Sequence, residues 1–321
     1  MRRRSPLALL AALAIIGIPA LAAPAGAAGP SASRHDQIVA FWTPARLRSA
    51  IPRDFVRAGA TFVPKARPGG TGTGASWTKG GAILKASGKV YFVMSPYAYV
   101  CSGSVATETK TGRSLVLTAG HCAYDEVARK FATNWLFIPE FDSAPTFTCA
   151  NTTYGCWTAD ALVVHNGYAS AGGFNTQATA HDFAFAVVSG GGKSGTAQLD
   201  TTVGSFPISF SGTSAGTLMY AFGYPAAGKY HGNDLTYCFG NIFNDSNNSN
   251  LTWGMACGMT GGSSGGPWLK GFNESTGSGT LNSLNSYGYS GVKNMYGPKF
   301  NANTQAVYNA ATTVTSNTIV N

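Results

Sequence analysis

The chain has 321 residues, of which 44% are hydrophobic and only 11% charged, with 41 glycines and a formal net charge of +9. The charge is concentrated at one end: Arg2, Arg3 and Arg4 carry +3, residues 28–74 a further +5, and residues 75–321 only +1. That distribution removes the electrostatic argument for a nucleic-acid partner, and so uncharged a Gly-, Ser-, Thr- and Asn-rich chain suits an extracellular β protein with many tight turns.

Residues 1–28 read as a signal peptide. The three arginines precede an apolar run from Leu7 to Leu21, and Ala25-Gly26-Ala27 fits a small-x-small cleavage site. The run falls short of the ~18–20 residues that span a bilayer and contains Pro19. The protein is therefore expected to be secreted, with no membrane association once the signal is removed. Residues 29–74 are basic, free of cysteine, and end in the flexible tract Pro64-Lys-Ala-Arg-Pro-Gly-Gly-Thr-Gly-Thr-Gly74. They read as a propeptide cut near residues 65–75, or as a flexible N-terminal segment that is retained. Within them, Asp36 to Arg57 has room for a short helix interrupted by Pro44 and Pro52.

From Trp77 onward the signals are short strands closed by Ser, Gly or Pro: 89–94, 114–118, 183–188, 218–222 and 285–290. Their regular turns predict an all-β sandwich or barrels. Helical spacing is confined to 303–311. The spacing of the six cysteines suggests local pairs, Cys101 with Cys122, Cys149 with Cys156 and Cys238 with Cys257, out of 15 possible pairings. Zinc-type cysteine and histidine spacing is missing, so no metal site and no cofactor are expected; no acidic cluster with calcium-ligand spacing stands out, which leaves calcium dependence undecided by the sequence.

The chemistry concentrates in Thr260-Gly-Gly-Ser-Ser-Gly-Gly-Pro-Trp268, which sets Ser264 among glycines. A Gly-x-Ser-x-Gly string also suits an α/β-hydrolase elbow, but that fold runs Ser…Asp/Glu…His. Here the histidine comes first, in Leu117-Thr-Ala-Gly-His-Cys122. His121 at the end of a β run is the candidate base for Ser264. Asp182, before an apolar strand, is the candidate to hold its tautomer, with Asp125, Asp142, Asp160 and Asp200 as competitors. The amides of Gly262 and Ser264 are candidate oxyanion donors. His181 would face the other way on the strand.

With His121, Asp182 and Ser264 in that order, the chain resembles the chymotrypsin/trypsin family of serine endopeptidases, in particular its secreted bacterial branch with the glutamyl endopeptidases. The matching motifs are Leu117-Thr-Ala-Gly-His-Cys122, Cys101-Ser-Gly-Ser104, Asp182-Phe-Ala184 and Gly262-Ser-Ser-Gly-Gly-Pro267. The resemblance implies two orthogonal six-stranded β-barrels, about 77–195 and 196–310 of a peptidase domain 75–321, with a C-terminal helix and the site in the cleft between them. It implies that Ser286, Tyr287 and Gly288 pair strand-like with substrate backbone, and that Gly258, Met259 and Tyr287 line the pocket. Gly258 falls where trypsin-type enzymes keep an aspartate, and Asn285 where some glutamyl endopeptidases have a histidine, so neither preference is implied. Ser263 replaces the aspartate that pairs with a new N-terminal ammonium in animal members, which leaves the propeptide as folding aid or steric block.

The expected function is hydrolysis of protein or peptide substrates through an acyl-enzyme, by a monomer, with a pH profile that rises as His121 loses its proton. The alternatives are a catalytically silent binding module of the same fold, or an esterase.

Overall fold

The computed structural model describes residues 32–58, 61–64, 74–141 and 148–321. The expected signal segment, most of the expected cleavage zone and the competitor Asp142 lie outside them.

Six strands close into an antiparallel barrel in the order Ser87–Met94, Tyr97–Ala106, Ser114–Thr118, Ala184–Val188, Trp157–His165 and Thr133–Pro139. The ring closes where Ser104, Val105 and Ala106 pair with Leu117, Val116 and Leu115, which leaves the start of Tyr97–Ala106 with an open edge, and β-branched and aromatic side chains such as Val90, Phe92, Val116, Phe137 and Val163 fill the core. The second half builds two sheets. One joins Leu218–Gly223, Thr236–Asn241, Pro267–Asn273 and Ser278–Leu284, with Ala75–Ser76 at its edge. The other runs Phe243–Asn244, Thr252–Ala256, Asn294–Pro298 and Tyr287–Tyr289, then continues into the N-terminal strands Phe55–Ala58 and Thr61–Pro64. Met219, Met255, Trp268 and Met295 pack around the Cys238–Cys257 disulfide. A C-terminal helix, Ala302–Ala311, starts from a capping box between Asn301 and Thr304. This is the all-β, chymotrypsin-type fold that the motifs imply. The three disulfides join the cysteines that their spacing suggested.

Helices are more numerous than the spacing predicts. Asn166–Ala169, Thr176–Ala180, Leu199–Val203 and Ala82–Ala86 are single turns of four or five residues, too short to show a 3.6-residue period. Upstream, Arg34–Phe41 and Pro44–Ser49 are two separate helices, capped by Ser33 and Thr43. Pro44 does not break a helix. It opens one, where its missing N–H costs nothing.

One barrel residue carries an electrostatic cost. Lys89 is 7% exposed, donates from Nζ to the Gly232 carbonyl at 3.1 Å and lies 4.2 Å from the Phe141 ring centroid. Burial pushes its pKa down from 10.5 to about 7. Between those values the unfolded chain binds the proton and the folded chain does not, so raising the pH across that window stabilises the fold. Lys89→Met should flatten this rise. Urea unfolding at both ends of the window checks it, and an undiminished pH dependence in the variant would contradict the assignment.

Candidate active site

His121 sits in a 3-10 turn, Gly120–Cys122, directly after the barrel strand Ser114–Thr118. Cys122 ties the turn to Cys101 on the neighbouring strand, and Trp135 Nε1 donates to the Cys122 carbonyl at 3.2 Å. Gly120 sits in tight quarters: a Cβ there would meet the Tyr168 ring at 3.1 Å and Asp182 Oδ1 at 3.2 Å, close enough that both would have to yield a little.

Asp182 lies between the Thr176–Ala180 helix and the barrel strand Ala184–Val188. It has no exposed surface and accepts three hydrogen bonds. Oδ1 takes the backbone N–H of His121 at 2.8 Å; Oδ2 faces His121 Nδ1 at 2.8 Å and takes the Ser286 hydroxyl at 2.5 Å. The competitors are elsewhere. Asp125 Oδ1 accepts the Val127 and Ala128 amides in its own turn, and Asp200 Oδ1 accepts from Gln198. Asp160 is half-buried, and its carbonyl accepts from Arg34. Of the other histidines, His165 and His181 stack on each other at 4.5 Å, and burial pushes His165 down to about 4.

Ser264 is 3% exposed in the turn before the strand Pro267–Asn273. Its carbonyl accepts the Ser102 N–H at 2.7 Å and lies 3.9 Å from Cys122 Sγ, which places the serine against the histidine loop. Among the described residues no hydrogen bond joins Ser264 Oγ to His121, and Nε2 of His121 is buried without a partner there. Such bonds are often open before a ligand arrives. Gly262 has φ +96°, a conformation that side-chain-bearing residues rarely adopt. The carbonyl of Gly261 is taken by the Ala226 amide at 2.7 Å. Because the peptide is trans, the N–H of Gly262 points the opposite way. Among the described residues, neither that N–H nor the N–H of Ser264 finds an acceptor. Ser263 spends its hydroxyl on the Thr260 carbonyl at 2.8 Å.

The residues expected to meet substrate have mixed placements. Gly258 is half-exposed, and its carbonyl lies 3.5 Å from the Tyr230 hydroxyl. Met259 is buried in the methionine-rich core. Tyr287 is fully buried and its hydroxyl donates to Asp245 at 2.5 Å; burial, then this bond, raises its pKa far above the ordinary phenol value. The backbone of Tyr287, Gly288 and Tyr289 is paired in parallel with Phe55, Val56 and Arg57. Ser286 points its side chain at Asp182, a role that the sequence did not suggest. Phe174 also escaped notice: its ring stacks on Phe55 at 4.0 Å and meets His121 edge-on at 5.7 Å.

Three solved structures resemble this chain over 72–76% of its length. The protease Anisep from Arthrobacter nicotinovorans is 37% identical, with a TM-score of 0.63, and the match covers 75% of this chain and 99% of that one. The thermostable serine protease AL20 from an extremophilic microorganism is 37% identical, with a TM-score of 0.62, over 72% of this chain and 98% of that one. A Glu endopeptidase, in complex with MPD, shares the fold at 19% identity and a TM-score of 0.55, over 76% of this chain and 98% of that one. Neither a protein-family model nor a curated protein matches the chain.

The ring of His121 has one nitrogen on a carboxylate and one bare. The carboxylate is an acceptor, so Nδ1 carries the hydrogen and Nε2 keeps its lone pair. Nitrogen-15 NMR of histidine-labelled protein, with His121 neutral, should show this tautomer, and Asp182→Ala should scramble it. A protonated Nε2 in the unaltered protein would overturn the arrangement.

Proposed function

Because this chain belongs to the bacterial branch of the chymotrypsin/trypsin-like serine proteases, we propose that it is a secreted endopeptidase whose catalytic groups are His121, Asp182 and Ser264. The observation that carries this reading is the buried, partnerless Nε2 of His121, with Nδ1 fixed on a carboxylate. A lone pair so placed is suited to take the proton of Ser264 as its oxygen attacks a peptide carbonyl. The resulting oxyanion would be met by the N–H groups of Gly262 and Ser264, which no other group uses among the described residues. The imidazolium, stabilised by Asp182, then gives its proton to the leaving amine, and water repeats the cycle on the acyl-enzyme. Ser286 holds the second lone pair of Asp182 Oδ2 and so acts as a positioning residue.

Secretion is supported by the leader-like first residues and by three disulfides, which persist in oxidising compartments. No helix among the described residues is long and apolar enough to cross a membrane. The feature that favours a silent binding module is the filled groove along Tyr287–Tyr289. Removing residues 1–74 separates the two readings. The trimmed protein should hydrolyse casein and bind a serine-directed phosphonate, and Ser264→Ala should lose both. Trimmed protein that folds yet neither cuts nor labels would establish the module instead. Asp182→Asn should lower kcat about 10⁴-fold in steady-state assays, because an amide there favours the wrong tautomer.

A further inference from the structure

Arg53 lies upstream of residue 75, yet its side chain, 11% exposed, reaches in among residues of the expected peptidase domain. Nη1 donates to the His121 carbonyl and, at 3.2 Å, to the Tyr124 carbonyl; Nη2 pairs with Glu126 Oε2 at 3.1 Å. Glu126 is itself 2% exposed, and its other donor is the Tyr168 hydroxyl at 2.8 Å. Two carbonyls and a carboxylate, the latter braced by the Tyr168 phenol, thus meet one planar cation through both of its terminal nitrogens, a pattern that matches a guanidinium fork better than an ammonium. A carboxylate this buried needs donors or a counter-charge in place of water, and here a residue upstream of residue 75 supplies the charge.

On either side of Arg53 the chain lies along the walls of the cleft. Ile51 and Pro52 pair in parallel with Tyr99 and Val100 of the barrel, and Phe55, Val56 and Arg57 pair in parallel with Tyr287, Gly288 and Tyr289 of the second half. Between these strands the chain crosses the serine turn: a Cβ on Gly261 would meet Pro52 Cβ at 2.9 Å and Asp54 Cβ at 3.1 Å. Phe55 stacks on Phe174 and lies edge-on to the His121 ring at 5.4 Å. No carbonyl of the segment enters the oxyanion site, since the Gly262 and Ser264 amides have no acceptor among the described residues.

We propose that Glu126, Tyr168 and the carbonyls of His121 and Tyr124 form a guanidinium-binding subsite of the cleft, through which Arg53 anchors residues 51–58 as a tethered inhibitor that fills the groove without being cut. The proposal rests on the protease reading and extends it to the control of the same site. A free peptide that carries an arginine at the matching place is accepted by the same subsite once the segment has gone.

The full-length chain, checked as intact by mass, provides the first test. Phosphonate labelling of Ser264 should be slow in the native sequence, at least about thirtyfold faster in Arg53→Ala, and intermediate in Arg53→Lys. The second test needs no variant of the protein. A synthetic peptide of residues 48–60 should inhibit the chain trimmed of residues 1–74 and survive incubation uncut. The same peptide with neutral citrulline at position 53 should bind at least about thirtyfold more weakly. Equal inhibition by both peptides would overturn the subsite, and rapid cleavage of the arginine peptide would overturn the uncut mode of binding. Trimmed protein that folds but never labels would refute the underlying protease reading, a result distinct from trimmed protein that labels while both peptides fail to inhibit it.

Discussion

The arrangement depends on the buried carboxylate of Asp182. A charge with no exposed surface is tolerated only where donors replace the water it has lost. Those donors come from two parts of the molecule: the backbone and ring of His121 from the barrel, and the hydroxyl of Ser286 from the second half. Asp182 therefore orients the imidazole and also fixes the depth at which the two halves meet. A shift of the second half would take the Ser286 hydroxyl from Oδ2, a hydrogen bond to a charged group worth about 1.5–3 kcal/mol.

What could be read from the sequence was local. His121 and Ser264 announce themselves through runs of six to nine neighbours, and Asp182 through the apolar strand that follows it. The disulfides were legible because each closes a short stretch, with separations of 21, 7 and 19 residues. What stayed hidden is made by distance. Ser286 reaches Asp182 across 104 positions, and Arg53 reaches Glu126 across 73. Neither pair carries a spacing signal, since the partners meet only after the halves have folded. The single-turn helices were missed for the opposite reason, being too local to repeat. Tyr287 stands between these cases: its backbone is paired with Phe55 of the upstream segment, while its hydroxyl goes to Asp245, a partner that nothing in its own neighbourhood suggested.

On the proposed reading, the upstream segment is both well packed and provisional. Its helices are properly capped, Trp42 is 2% exposed and donates to the Asn134 carbonyl at 2.6 Å, and its strands extend sheets that are complete without them. Strand addition of this kind uses backbone bonds that any extended chain can supply. The arginine makes the fit particular to this segment.

Ser263 has a wider consequence. On the proposed reading, with no charge at residue 263 to receive a newly made ammonium, and with the Gly262 and Ser264 amides without an acceptor among the described residues while the upstream segment is in place, the oxyanion donors do not have to wait on where the chain is cut. Maturation on this plan tolerates ragged ends. Whichever enzyme does the trimming has to clear the cleft, and it is under no pressure to leave a defined first residue.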